Sequence, residues 1–308
     1  MMLHVLLLTV GFVFLVKGAD WFVEGAAGIA KKLGIPQLVI GLTIVAMGTS
    51  MPEAAVSITS ALSGSAGISI GNVVGSNILN ILIILGITAV LTNVRIQKTT
   101  FRYEIPFMIG ITIILMAFGI TGNQITFLEG ILFWLLFFIF LGYLFVISKK
   151  GSVQDEEEIK ELPLWKGVLG IIIGGILVVK GSDFAVEGAT EIARYFGMSE
   201  RFIGLTIVAF GTSLPELVTS VTAARRGNAD IAIGNIVGSN IFNILFVIGT
   251  TALICNVPFD QKFVTDTIVA IFSGVLLWAG TIRYKELRKN CGIVMLLCYA
   301  GYFIYLCK

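Results

Sequence analysis

Charge is scarce in this chain. Only 13% of its 308 residues are Asp, Glu, Lys or Arg, about half of the quarter or so that a soluble domain carries. No basic stripe is present to track a nucleic acid, and the formal net charge of +2 points to no partner. Histidine is nearly missing: His4, at the chain end, is the only one and reads as an interfacial residue. Its scarcity excludes an intramembrane metalloprotease or a Ser–His hydrolase, both of which need histidine beside the reacting group. A Gly-x-Gly-Asp setting for paired aspartates is also missing, so the chain is not read as an enzyme. Cysteine is limited to Cys255, Cys291, Cys298 and Cys307, with no CxxC spacing. Three of these crowd the last apolar run, so they read as packed thiols rather than a disulfide framework or a zinc site.

Apolar residues are abundant, at 56% of the chain. They come in long continuous runs such as Phe133–Ile147 and Ile268–Ile282. About 20 apolar residues span a bilayer core as helix, and only helices or closed barrels satisfy their backbone in lipid. The runs do not alternate, which argues against a barrel. The predicted spans are Leu3–Val16, Leu38–Leu62, Ile68–Leu91, Ile105–Ile120, Ile125–Ile147, Val168–Phe184, Phe202–Ala223, Ile231–Ile254, Val264–Ile282 and Ile293–Cys307. The first is read as a span rather than a removed signal. No Lys or Arg precedes it, no clear small-residue cleavage site follows, and the same element recurs at Val168–Phe184.

That recurrence is general. Gly41-Leu-Thr-Ile-Val-Ala-Met-Gly-Thr-Ser-Met-Pro-Glu53 returns as Gly204-Leu-Thr-Ile-Val-Ala-Phe-Gly-Thr-Ser-Leu-Pro-Glu216. Gly71-Asn-Val-Val-Gly-Ser-Asn-Ile-Leu-Asn80 returns as Gly234-Asn-Ile-Val-Gly-Ser-Asn-Ile-Phe-Asn243. Lys17, Asp20 and Glu24 return as Lys180, Asp183 and Glu187. The offset is 163 each time, without a gap, so the chain is duplicated. The expected organisation is a first five-helix half over 1–147, an acidic linker over 148–166 and a second five-helix half over 167–308. The linker run Asp155–Glu158 lacks the spacing of a Ca2+ loop and reads as solvated.

An odd number of spans per half inserts the second half upside down. The fold expected is therefore an all-α membrane protein of about ten transmembrane helices, in two inverted-topology five-helix repeats. With the N-terminus outside, fifteen Lys and Arg fall in inside loops, among them Lys31, Arg95, Lys149 and Arg283. Four fall outside: Arg194, Arg201, Lys262 and Lys308. The positive-inside rule selects that orientation, with both termini outside and the linker cytoplasmic. Inverted repeats suit alternating-access transport around a midplane site, which fits less well with a channel.

Glu53 and Glu216 sit within apolar spans, where a carboxylate is costly and marks function. No Lys or Arg lies within a helical turn of either. Pro52 and Pro215 cannot donate to the carbonyls of Gly48 and Gly211, so each helix should break there. The break frees carbonyls around Ala46–Gly48 and Ala209–Gly211, which an ion or water must satisfy. Thr49 and Ser50 stand four and three residues before Glu53, on its face. In the next span Asn72, Ser76 and Asn80 form a stripe, and Asn235, Ser239 and Asn243 repeat it. Every group named is an oxygen donor, which suits a hard cation such as Ca2+ rather than zinc or copper. Lys17 and Lys180 stand three residues before Asp20 and Asp183, where a local ion pair or snorkelling accounts for them.

The duplicated Gly-Thr-Ser-x-Pro-Glu and Gly-Asn-x-x-Gly-Ser-Asn resemble the alpha repeats of the cation/Ca2+ exchanger superfamily, most closely the prokaryotic type of its Na+/Ca2+ exchanger branch. The Ca2+/H+ branch typically reads Gly-Asn-x-x-Glu in the first motif. The resemblance covers the whole ten-span layout. It implies a secondary antiporter in the plasma membrane, functional as a monomer, with Ca2+ and Na+ as substrates, the bilayer as its surroundings and no further cofactor. Ca2+/H+ antiport through the same site is the alternative. By resemblance Glu53 and Glu216 are the central ligands. Thr49, Ser50, Ser76, Thr212, Ser213 and Ser239 flank them with the carbonyls of Ala46 and Ala209, and Asn80 and Asn243 complete the cluster. K+-dependent relatives usually carry Asp where this chain has Asn243, which argues against K+ co-transport.

Overall fold

The structure is a computed structural model that describes residues 2–150, 162–198 and 209–306. Its apolar runs are helical, as lipid-facing backbone requires. In chain order the helices are α1 Met2–Leu33, α2 Gln37–Thr49, α3 Met51–Leu62, α4 Gly67–Leu91, α5 Thr100–Gly122, α6 Phe127–Lys149, α7 Leu164–Tyr195, α8 Leu214–Arg225, α9 Ala229–Ile254, α10 Gln261–Thr281 and α11 Lys289–Leu306. Eight are long and apolar enough to cross a membrane. The pair α2–α3, bent by 49°, makes a ninth candidate among the described residues. The predicted seventh span is described only from residue 209 onward, as a short turn Ala209–Gly211 followed by α8. The Asp155–Glu158 run and Cys307 lie outside the described residues.

α1 and α7 are each 32 residues long, far longer than Leu3–Val16 and Val168–Phe184. Hydropathy drops at Lys17 and Lys180, but nothing in the backbone stops there. Both helices continue past their charged residues because small side chains pack them together along their whole length. Gly11, Gly18 and Gly25 recur every seven residues, as do Gly167, Gly174, Gly181 and Gly188. Gly11 meets Gly181 and Ala185, Gly18 meets Gly174, and Gly25 meets Gly167, while Gly188 meets His4 and Leu8. Contacts that ascend one helix and descend the other define an antiparallel pair. The approach leaves no room for a side chain: a Cβ on Gly174 would lie 2.5 Å from the Phe22 nitrogen. Interfaces of this kind rely on dispersion at close backbone contact.

The centre of the bundle is held by α4 and α9, whose apolar windows are 78% and 94% buried, against 33% or less in the other long helices. Around them two very short antiparallel ladders tie the halves together. Val94–Arg95 (β1) pairs with Glu286–Leu287 (β4), and Gln124–Ile125 (β2) pairs with Val257–Pro258 (β3). The 163-residue offset carries β1 onto β3 and β2 almost onto β4, so the ladders are related by the duplication. Midway along α1 and α7 the charges behave differently. Lys180 pairs with Asp183 at 3.2 Å. Asp20 instead meets Arg226 at 2.9 Å, which also reaches Glu24 at 3.3 Å. The local pair expected for Lys17 and Asp20 is thus replaced by a bridge from α1 to the end of α8, because the guanidinium can engage two carboxylates at once.

The glycine contact is testable. Gly174→Leu should lower the thermal stability of the detergent-solubilised protein by about 1–3 kcal/mol or prevent folding, as overpacking does. Gly142→Ala on α6, where no atom of the described residues lies within 4 Å of the added Cβ, should leave the melting temperature unchanged or raise it slightly. Size-exclusion thermal scans read both.

Candidate cation site

Pro52 and Pro215 occupy the second positions of α3 and α8. A proline there costs no hydrogen bond within its own helix but denies a donor to the carbonyl of Gly48 or Gly211 before it. The chain therefore breaks at Ser50 and at Ser213, where the backbone leaves helical geometry. The Ala46 carbonyl is not free, as the break had suggested: it still accepts the Ser50 amide at 3.0 Å, and the Ser239 hydroxyl lies 3.4 Å from it. Each break puts a glutamate in the first turn of the new helix, near its positive end.

Both glutamates are completely buried, and among the described residues neither has a Lys or Arg partner. Hydroxyls meet them from the opposite half or from the neighbouring helix. Ser50 donates to Glu216 Oε1 at 2.8 Å, and Ser76 donates to Glu53 Oε1 at 3.3 Å. Ser76 and Ser213 stand 3.4 Å apart, oxygen to oxygen. Thr49 lies 3.0 Å from Asn235 Oδ1. Glycine makes the cross-half approach possible: a Cβ on Gly238 would sit 2.7 Å from the Leu42 carbonyl.

The asparagines are arranged reciprocally. Asn77 donates to the Asn240 carbonyl and Asn240 to the Asn77 carbonyl, each at 3.2 Å. Asn80 donates to Asn240 Oδ1 at 2.9 Å, and Asn243 donates to Asn77 Oδ1 at 3.1 Å. Asn72 and Asn235 hold the glutamate backbones, donating to the carbonyls of Glu53 and Glu216 and to the hydroxyls of Ser57 and Ser220. π-Helical turns begin at Asn80 and at Asn243; such bulges recur at functional sites.

This bonding uses up donors and leaves acceptors. Oε2 of Glu53, Oε2 of Glu216, Oδ1 of Asn80 and Oδ1 of Asn243 are buried without a hydrogen-bond partner among the described residues. Four unpaired acceptors, two of them carboxylate oxygens, are expensive in an apolar interior unless a cation, a proton or water meets them. The set is all oxygen, as a hard cation requires.

Of the twelve residues proposed from sequence, Glu53, Glu216, Thr49, Ser50, Ser76, Ser213, Ser239 and the Ala46 carbonyl are joined by cross-half or neighbouring-helix contacts, and Asn80 and Asn243 join through the asparagine network. Thr212 is half-buried in the turn before α8 and makes no cross-half bond among the described residues. Ala209 opens that stretch. Two partners were not singled out from the sequence: Asn77 and Asn240, whose signal was their place in the duplicated Gly-Ser-Asn. Glu104 was missed altogether. The expected span began at Ile105, yet Glu104 is buried in α5, away from the cluster, and accepts a hydrogen bond from the Tyr143 hydroxyl.

The sequence profile described as "Sodium/calcium exchanger protein" matches residues 3–146 and 166–308. The chain belongs to the sodium/calcium exchanger family. Several relatives are similar over nearly their full length. A putative antiporter of Alkalimonas amylolytica is 38% identical, with 98% of each chain covered. The sodium/calcium exchanger MaX1 of Methanosarcina acetivorans is 33% identical over 98% of this chain and 97% of its own. A solved structure of the sodium-calcium exchanger NCX_Mj is 34% identical with a TM-score of 0.84, covering 97% of both chains. This exchanger-family chain therefore shares its fold with a solved exchanger.

The asparagine network predicts its own mutant. Asn240→Ala leaves the Asn80 side-chain amide without its acceptor, at about 1–3 kcal/mol for a buried group, and takes one of two donors from the Asn77 carbonyl, which keeps the Asn80 backbone N–H. The variant should unfold at a clearly lower temperature than wild type in a thermal-shift assay.

Proposed function

We propose that this chain is a secondary antiporter that exchanges Na+ for Ca2+ by alternating access, with Glu53 and Glu216 as the central ligands. The observation that carries the reading is the set of four buried, unpaired acceptor oxygens between the two halves. Thr49, Ser50, Ser76, Ser213, Ser239, Thr212 and the carbonyls of Ala46 and Ala209 flank that centre as Na+ ligands. The names of the similar proteins, antiporter and sodium/calcium exchanger, favour the same reading.

The physics of coupling follows from the charges. Two ionised carboxylates in a low-dielectric site repel and are each costly to desolvate. One Ca2+ cancels both charges, and so do two or more Na+. The bare, doubly negative site resists being sealed, so the protein changes face only when filled. That penalty forbids uncoupled leakage.

The proposed topology is ten spans in two inverted halves within the plasma membrane, working as a monomer. Support comes from α1 and α7, which are repeat equivalents and pack antiparallel. The ladders agree: β1 and β4 belong to loops assigned inside by charge, while β2 and β3 belong to loops assigned outside.

Three outcomes are expected. In proteoliposomes, an outward Na+ gradient should drive radiolabelled Ca2+ uptake without K+; uptake that follows only a pH gradient would replace this reading with Ca2+/H+ antiport. Glu53→Gln and Glu216→Gln should each abolish Ca2+ binding and flux while leaving the protein folded and inserted, and near-normal Na+-driven flux in either would remove the central claim. Single cysteines on a Cys-free background should label from outside at position 2 and not at position 157. The reverse pattern overturns the orientation.

A further inference from the structure

The two ladders occupy equivalent places in the duplicated chain, but their chemistry differs. Around β1 and β4 the chain places Arg95, Lys98, Arg102, Arg283, Arg288 and Lys289, all exposed. Their counterparts at the 163-residue offset are Pro258, Gln261, Thr265, Ile120, Ile125 and Thr126, none of them charged. Duplication supplied the ladder twice, and only one copy is basic.

Tertiary structure makes the six into one surface. Their two segments are nearly two hundred residues apart, yet Val94 and Arg95 pair with Leu287 and Glu286. The Ile96 amide donates to the Lys285 carbonyl at 2.8 Å, and the Trp278 indole donates to the Phe101 carbonyl at 3.0 Å. Lys285 lies over the Phe101 ring at 3.1 Å, pinning the turn. Neutralisation within the patch is slight. Glu286 is shared between Arg95 at 3.9 Å and Arg288 at 3.3 Å, and Lys98, Arg102, Arg283 and Lys289 have no acidic partner among the described residues. Beside these cations stand the amphipathic rings of Trp278, Tyr103 and Tyr284, all exposed. Such rings settle at the headgroup level of a bilayer. The patch sits where α5 and α11 begin and α4 and α10 end, at the edge of the apolar bundle.

Charge bias between loops orients a membrane protein, and that accounts for basic residues on one side. It does not require them to be gathered by a ladder, ringed with interfacial aromatics and only partly neutralised, by Glu286 alone among the ion pairs of the described residues. We propose that the β1–β4 surface is a binding site for the phosphodiester headgroups of anionic lipids. Arginine suits a phosphate through paired N–H donors, and clustered Lys and Arg next to a membrane span attract anionic headgroups.

The test uses the full-length protein in neutral detergent, titrated with phosphatidylglycerol or phosphatidylcholine and read by native mass spectrometry. Wild type should retain phosphatidylglycerol in preference to phosphatidylcholine. The triple variant Arg102→Gln, Arg283→Gln, Arg288→Gln should bind phosphatidylglycerol at least about tenfold more weakly, with an unchanged elution profile and melting temperature. Should the triple variant not fold, the single variants Arg102→Gln and Arg283→Gln are compared in its place, each expected to lose affinity. A control pair on other segments, Lys149→Gln with Lys166→Gln, should retain wild-type affinity. Equal retention by wild type and the β1–β4 variants overturns the proposal. So does an equal loss in the control, which would mean a general charge effect, or displacement of the lipid by inorganic phosphate at the same concentration, which would mean a free-anion site.

Discussion

An ionised carboxylate inside a lipid-spanning bundle must be met by something of opposite sign. The cluster buries two, and among the described residues no Lys or Arg bonds to either. The remaining contacts of the cluster follow from that constraint. Two hydroxyls of the first half, Ser50 and Ser76, reach one oxygen of each carboxylate, and amide nitrogens are turned away to hold backbone and neighbouring asparagines. What remains pointing inward is oxygen without a donor. On the reading proposed above, cation occupancy is then a condition of the site's stability, whereas a permanent internal cation would leave it inert.

The two halves build this cluster together but not identically. Asn77 and Asn240 exchange hydrogen bonds reciprocally, and Asn80 and Asn243 mirror each other through them. The hydroxyl contacts break the mirror. Ser50 reaches across to Glu216, whereas Ser213 meets Ser76 rather than Glu53; Thr49 approaches Asn235, with no matching contact between Thr212 and Asn72 among the described residues. A duplicated sequence thus produces a paired framework in α4 and α9 and an unequal lining in the broken helices. The framework is secured by amide nitrogens that each find an acceptor, while the lining is made of single hydroxyls that can each turn to another acceptor.

Much of this was legible from the residues. The class followed from long apolar runs with little charge, and the broken helices followed from prolines that cannot donate to the carbonyls four residues back. The glutamates stood out because nothing nearby could neutralise them. Other features were hidden because hydropathy averages over windows. The ends of α1 and α7 were lost where Lys, Asp and Glu lower the average, although a heptad of glycines carries both helices onward. Glu104 was lost for the same reason, at the edge of an apolar run. Asn77 and Asn240 were hidden differently: an amide that follows a serine merges into the same polar interruption until its cross-half partner is known.

Residue types and their spacing determined by themselves that the chain lies in a membrane as helices, that it is duplicated, where its helices break and which side chains offer oxygen. These are local or periodic properties, fixed by backbone hydrogen bonding, proline stereochemistry and the cost of moving charge into lipid. Tertiary structure alone decided which hydroxyl serves which carboxylate, which amide oxygens are left unpaired, that Arg226 rather than Lys17 answers Asp20, and that two distant basic loops form one surface. Most of those depend on distances of a few ångströms between segments more than a hundred residues apart in sequence, and such distances are set by how closely glycine-lined helices can approach.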